Sequence, residues 1–422
     1  MKKVYYKIEF ELASPLIVGC GTDYVTDNDV NLNSNERPYI PGSAIAGVLR
    51  HSIEEKVANE IFGETNGEAY TESSIITYDA NVNGWYRISI RDGVALDEHK
   101  VAKAGAKMDF QVVETGAKFT TFLEVSDESD IVDKCIPQLF SFMQSSACHF
   151  GAKTTRGYGQ IKVINIGHVK FDMSSSADIE KWLDFDMYTS EDWQEYSEAL
   201  TNENDSYDVI RIALEQEGGI SIRKYSTDVG KDEEDANGPD FVQLTVKDQN
   251  GKETPVVPGT SWAGAFRSRM KEYWDSKNDE AWFGSSGQGE DGKKTKSNIF
   301  FSETMLKDAK EKINTRNAID RFSGGSLDSA LFKEKTYYYG NGELVITIKK
   351  DEDLSDQVEA LNHALAATLT DLNYGFLAVG GLTSIGRGLF KIQKVTKNAN
   401  EPLDLTDAQN NVYKSIKQYL DK

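Results

Sequence analysis

Pro38-Tyr39-Ile40-Pro41-Gly42-Ser43-Ala44-Ile45-Ala46-Gly47-Val48-Leu49-Arg50 has a counterpart further along the chain. It is Pro255-Val256-Val257-Pro258-Gly259-Thr260-Ser261-Trp262-Ala263-Gly264-Ala265-Phe266-Arg267. Both fit one pattern, P-x-φ-P-G-[ST]-x-x-x-G-x-φ-R, with φ apolar. The Pro-Gly step ends an extended run. Ser43 and Thr260 stand where a helix N-cap is expected. The Gly four residues on and the Arg seven residues on then fall near one helix face. A glycine there lets another molecule approach the helix. An Arg beside a helix N-terminus offers an anion two kinds of donor. Met once, the pattern is an ordinary loop-to-helix junction. Met twice in one chain, it points to a duplicated unit.

The surrounding elements repeat in the same order. In the first copy a strand over residues 3–12 leads to a polar loop over 16–37 and a helix from Ser43 to about Ile61. Short strands at Ile75–Tyr78 and Trp85–Ile90 follow. Then come a hairpin around Thr115-Gly116, a helix from Asp130 to Ser146, the loop Gly151-Ala-Lys-Thr-Thr-Arg-Gly157-Tyr-Gly159 and a last strand. In the second copy a strand from Asp208 to Leu214 precedes a long acidic loop and a helix ending at Trp282-Phe283-Gly284. A strand at Asn298–Phe301, a hairpin around Asn341-Gly342, a helix from Ser355 to Leu372 and the loop Gly380-Gly-Leu-Thr-Ser-Ile-Gly386-Arg-Gly388 complete it. The predicted layout is a module over 1–168, an acidic linker over 169–205, a module over 206–396 and a tail with a short helix over 397–422. Ile179, Trp182, Leu183, Trp193, Tyr196 and Leu200 predict helix in the linker. Strands interleaved with two helices per module predict an α+β fold, two tandem ferredoxin-like modules.

The chain has 422 residues and a net charge of −21, which argues against general nucleic-acid binding. The charge is unevenly spread. Residues 171–208 hold twelve acids against Lys181, and Asp228 to Asp240 hold six against Lys231. The remaining chain is much nearer neutrality and has room for local basic patches. Cys20, Cys135 and Cys148 form no CxxC pair, which suits a reducing cytoplasm and gives no zinc site. No apolar run approaches a bilayer span, and the start reads as a strand rather than a signal peptide.

The two Gly loops precede strands, so they are not phosphate loops of the Walker type. Their glycines, hydroxyls and cations (Lys153, Arg156, Arg387) can still cradle a phosphodiester backbone. Each loop taken alone reads equally as a tight turn. The five histidines are scattered and read as structural. A nucleic-acid backbone site unites the recurring Arg, Ser/Thr and Gly. A carboxylate in the loop before the Pro-Gly helix then holds a divalent cation or orients a ribose hydroxyl, or is merely solvated. Asp23, Asp27 and Asp29 are the candidates in the first copy, and Asp228 to Asp240 in the second.

These motifs resemble the RAMP superfamily, and more closely the backbone subunits of type III CRISPR effector complexes. The resemblance rests on Ile40-Pro41-Gly42-Ser43-(x3)-Gly47-(x2)-Arg50, on Val257-Pro258-Gly259-Thr260-(x3)-Gly264-(x2)-Arg267, on both Gly loops and on Arg316-(x2)-Ile319-Asp320-Arg321. It implies an RNA-recognition-like ferredoxin core with thumb hairpin insertions, here over 91–108 and 318–334. It implies a guide RNA held by Gly42, Ser43, Arg50, Lys153, Arg156, Gly259, Thr260, Arg267, Arg321 and Arg387. It further implies a cut in complementary target RNA by a loop Asp with a divalent metal, Mg or Mn. Asp27 matches that position, with Asp29 second, and Asp240 is its counterpart in the second copy. Asp27 and Asp240 would hold the metal. Partners implied are the guide RNA, the target RNA and other CRISPR effector subunits, with no membrane. Two alternatives stand beside this. One is the same scaffold without catalysis. The other is a repeat-processing endoribonuclease of related fold, using His149, Lys153 and Tyr158.

Overall fold

The computed structural model describes residues 2–19, 21, 26–66, 69–96, 102–126, 130–196, 206–224, 238–285, 294–398, 400–406 and 411–422. Cys20, Asp23, Leu200, the 97–101 stretch of the first thumb and most of Asp228 to Asp240 lie outside them. The chain divides into two compact units. The first gathers Met1–Arg91, Met108–Thr154 and Tyr158–Asp205, and the second Asp92–Lys107, Thr155–Gly157 and Ser206–Lys422.

In the first unit Ile8, Phe10 and Leu12 of β1 (Lys2–Leu12) are buried while Lys7, Glu9 and Glu11 are not. That alternation makes it a one-sided strand. The elements that follow are α1 (Gly42–Arg50), α2 (Glu55–Phe62), β2 (Ile75–Thr77), β3 (Ala80–Asn83), β4 (Ile88–Leu96), β5 (Ala102–Val113), β6 (Lys118–Val125), α3 (Asp130–Gln144), β7 (Ile161–Asp172), α4 (Ser176–Asp184) and β8 (Gln194–Glu195). The sheet runs β8-β7-β1-β6-β3, with β2 also on β6, all antiparallel. β4 and β5, whose residues 92–96 and 102–107 are grouped with the second unit, form the separate thumb ribbon of the first module.

The second unit contains β9 (Tyr207–Glu217), β10 (Arg223–Lys224), β11 (Phe241–Gln243), α5 (Gly259–Met270), α6 (Ser276–Phe283), β12 (Ile299–Phe301), β13 (Lys310–Ile319), β14 (Ser326–Tyr338), β15 (Asn341–Lys349), α7 (Val358–Asn373), β16 (Leu389–Lys397), β17 (Leu403–Asp404) and α8 (Val412–Leu420). Its main sheet runs β12-β15-β9-β16-β17. The core strands therefore take the same spatial order in both units, fourth-first-third-second, which is the ferredoxin-like arrangement. The chain is a tandem α+β duplication. Even the β-bulge repeats, between Glu9 and Phe10 and between Ala213 and Leu214.

Three expectations need correction. The helix from Ser43 to Ile61 is two helices. Ser52 Oγ donates to Leu49 O, and Glu54 is extended, so α1 ends and α2 begins across a turn. Asp275, accepting from Asn278 N at 2.9 Å, starts α6 in the same way. Ser43 and Thr260 are not N-caps. Pro41 and Pro258 occupy the caps, with no side-chain bond. Gly42 instead donates to Asp79 Oδ1 at 2.7 Å. The glycines are needed because a Cβ at Gly42 would lie 2.4 Å from Thr77 O, and one at Gly259 2.2 Å from Phe301 O. Finally, among the described residues of the acidic linker, α4 is the one α-helix. Trp193 and Tyr196 flank the short strand β8, which adds an edge to the first sheet. Trp182 donates to Tyr5 OH at 3.0 Å, and Phe122 packs against Tyr188 and Trp193. The described part of the acidic segment thus folds onto its module through aromatic side chains, while Glu180, Asp184, Asp186, Glu191, Asp192 and Glu195 are exposed.

Candidate nucleic-acid interface

The Pro-Gly helices present the same surface twice. Gly47 and Gly264 each face open space, where an added Cβ would meet nothing within 4 Å. Ser43 is exposed one turn before Gly47. The recurring Arg, however, turns along the helix pair. Arg50 donates to Gly63 O at 2.6 Å and to Asn59 Oδ1. Arg267 donates to Asp279 at 2.7 and 3.0 Å and to Gly284 O at 3.2 Å. In both modules it fastens the first helix to the C-terminal glycine of the second. The amides of Gly42 and Gly259 are packed into the fold rather than open at a helix end.

The thumb bases carry the carboxylates. Leu16 bridges to Val113 in the first module and Ile220 pairs with Tyr337 in the second. Gly159 N donates to Pro15 O, and Gly388 N to Gly219 O. Leu16 and Ile220 are therefore equivalent, and so are Val113 and Tyr337. Four residues before these lie Asp109 and Lys333. Asp27 Oδ2 accepts from Asp109 N at 3.0 Å, and Asp240 Oδ2 accepts from Lys333 N at 2.7 Å. Asp27 and Asp240 occupy the same place: an exposed carboxylate pinned to the backbone of the returning thumb strand. Asp109 Oδ1 accepts from Asp27 N at 3.1 Å, so the first module sets a second carboxylate beside the first. Asp29 is buried, with Oδ1 taking Thr26 Oγ1 at 2.7 Å and Thr26 N at 3.1 Å. It shapes the loop that holds Asp27.

The remaining cations divide into two kinds. Lys153 lies with Nζ 3.4 Å from the centre of the Phe110 ring, and Arg156 is exposed in the following turn. Arg387 points inward. It donates to Glu334 Oε2 at 3.0 Å and to Tyr338 OH, tying the Gly loop to the thumb. Arg316 meets the same buried Glu334 at 2.7 Å. In the first module the buried pair Arg91–Glu114, at 2.9 Å, lies near the thumb base. Each loop needs glycine before its strand. A Cβ at Gly159 or Gly388 would lie 1.8 or 1.9 Å from the carbonyl of Phe150 or Val379.

The second thumb starts earlier than expected, at Lys310, and its tip is a built turn. Asp320 accepts from Ser323 N at 2.7 Å and Phe322 N at 2.9 Å. These bonds, those from Ser323 first, hold its carboxyl below the usual range. The turn leaves Arg321 exposed and Phe322 fully so.

His149 and Tyr158 are both buried. Burial pushes the His149 imidazole down to about 4, against a bond to Ala147 O that raises it. Neither side chain is open at the surface, while Lys153 and Tyr158 both pack on Phe110. Among the described residues no three His, Cys, Asp or Glu side chains gather to hold a metal. No helix among them is long and apolar enough to cross a membrane.

Residues 9–162 and 217–391 match the RAMP superfamily model. None of the curated proteins matches. A chain from the cryo-EM structure of the type III-B Cmr-beta complex bound to cognate target RNA is similar at 18% identity. The match covers 40% of this chain and 61% of that one, with a TM-score of 0.33.

Proposed function

This chain belongs to the RAMP superfamily, and from that premise we propose that it is a guide-RNA-binding backbone subunit of a type III CRISPR effector complex in the cytoplasm. In this reading it occupies two adjacent positions on the guide and cuts complementary RNA once per module. The observation that carries it is the equivalence of Asp27 and Asp240. Each is exposed, each is fixed through Oδ2 to a thumb-strand amide, and each retains Oδ1 for a ligand.

A single carboxylate, or the pair Asp27 and Asp109, is too small a set for an all-protein metal cage. It fits a hard cation that keeps its waters and takes further oxygens from RNA phosphate. Mg or Mn bound there would supply charge neutralisation at the scissile phosphate. Asp27 and Asp240 would orient the ribose 2′-hydroxyl and accept its proton. The Ser43–Gly47 and Thr260–Gly264 faces, on which Ser43 and Gly264 are exposed, would with Lys153, Arg156 and Arg321 meet the phosphates of the strand. Arg50, Arg267 and Arg387 would shape that surface from behind.

A second reading has its own support. Both carboxylates already serve a thumb amide, which a non-catalytic scaffold would also require. Guide-loaded protein incubated with end-labelled complementary RNA separates the two. Cleavage with Mg that EDTA abolishes supports the endoribonuclease. Tight target binding with no cut at any metal concentration supports the scaffold.

A further inference from the structure

We propose that the base of the second thumb carries a stacking platform for one unpaired nucleobase, with Phe332 as its floor. The proposal rests on the reading of this chain as an RNA-binding subunit, and adds a residue that orients the strand presented to Asp240.

The geometry begins at Arg223, whose guanidinium lies 3.8 Å from the centre of the Phe241 ring. Phe241 stacks on Phe332 at 6.2 Å between centroids and 28° between planes. Within the ribbon Arg316 pairs with Phe332, so both project from one face. That face therefore carries the two stacked rings, with Arg223 over Phe241 and with Arg316, held by Glu334, opposite Phe332 in the ribbon. Phe332 remains 42% exposed after stacking on Phe241. A large ring left open on a β-ribbon costs hydrophobic free energy unless something covers it.

The chemistry selects the occupant. Cations interleaved with aromatic rings suit a nucleobase on the ring and phosphates beside it. A purely apolar partner would gain nothing from Arg223 and Arg316. The position selects the nucleotide. Asp240 immediately precedes Phe241, the first residue of β11, Phe332 and Lys333 are adjacent on β14, and Asp240 accepts from Lys333 N. A base on Phe332 would therefore place its own ribose, or the next, within reach of the Asp240 carboxylate. The first module lacks this device. By the strand register, Met108 stands for Phe332 and Asn28 for Phe241, beside Asp27.

The test uses full-length protein loaded with guide and complementary RNA carrying 2-aminopurine at successive positions. Stacking quenches this base in the guide–target duplex as well as on an aromatic ring, so one position should owe its quenching to Phe332 in wild type. Phe332→Ala should relieve that quenching, and Phe332→Tyr should retain it. Phe332→Ala should also slow the Asp240-dependent cut by roughly tenfold, as lost base–aromatic stacking does, and leave the Asp27-dependent cut unchanged. Unchanged quenching at every position in Phe332→Ala would overturn the platform, whatever happens to cleavage. Absence of any cut in wild type would overturn the endoribonuclease reading instead, and the fluorescence would still judge the platform. An unchanged melting temperature for Phe332→Ala is expected, because its ring is partly exposed.

Discussion

The two modules share their backbone constraints and differ in what fills them. Gly42 and Gly259 press on the same strand position, Gly159 and Gly388 close the same loop, and Asp27 and Asp240 pin the same thumb strand. Between these points the side chains diverge. Ile45 and Leu49 fill the first helix face, where Trp262 and Phe266 fill the second. Asp109 stands at the position that Lys333 holds in the second module, and Met108 at that of Phe332. Ala378 takes the place of His149 when the Gly loops are superposed. Positions fixed by close approach or by a backbone bond have one solution, whereas core volume has many. The carboxylates fall in the first class, which is why they anchor the functional account.

The largest expected effect tests that division in the core. Trp262→Ala should cost about 4 kcal/mol, since it empties a buried indole site and leaves Thr304 Oγ1 without its 3.0 Å partner. Ile45→Ala, at the matching place, should cost about 3 kcal/mol. Urea unfolding measures both, and a reversed order would mean that the helix faces are not equivalent.

Acid should next separate the modules. The folded-state pKa of His149 is depressed to about 4, below the unfolded value of about 6.5. Its contribution to stability is complete above that unfolded value and is lost as pH falls toward 4. The loss should reach about 3 kcal/mol. His149→Ala, which copies the second module, should lower stability at neutral pH and flatten this part of the pH profile. A profile as steep as wild type would assign the acid sensitivity elsewhere.

Arg267→Ala should cost about 2 kcal/mol by stranding buried Asp279, part of whose charge Lys271 at 3.4 Å still meets. Arg50→Ala faces neutral Asn59 and should cost about 1 kcal/mol. Thermal melts and guide affinity are measured together. Lost affinity with unchanged stability would return both residues to the phosphate surface. The smallest effect concerns the thumb tip. Arg321→Ala should lower the salt slope of guide binding by about one, as loss of one phosphate contact does. An unchanged slope would place the tip away from the backbone.

The duplicated Pro-Gly motif and the late Gly loops made the tandem ferredoxin-like fold legible, because glycine at a close approach leaves a mark in sequence. The partners of Arg50 and Arg267 were not legible. They sit on a second helix whose start depends on a turn at Ser52–Glu54 or a cap at Asp275, and the periodicity runs through both. Trp193 and Tyr196 have helical spacing, yet a strand edge at Gly167 and His168 claimed their segment. Asp27 was singled out through the family resemblance and its distance to Pro41, and the structure adds the bond from Asp109 N to its carboxylate. The register of Asp240 was obscured by the acidic insertion before it, and only the bond to Lys333 N fixed it. Asp109, Arg223, Phe241 and Phe332 carried no sequence signal, since each matters through a partner distant in the chain.

Cleavage by single-site variants tests the central claim most directly. Guide-loaded wild type, Asp27→Asn, Asp240→Asn and the double variant are compared on 5′-labelled target RNA, with target binding measured in parallel. The account predicts two cuts in wild type, separated by one module's step along the guide. Each single variant should lose one cut and keep the other, and the double variant should bind target without cutting. Both cuts persisting in the double variant would contradict the assignment of catalysis to these carboxylates.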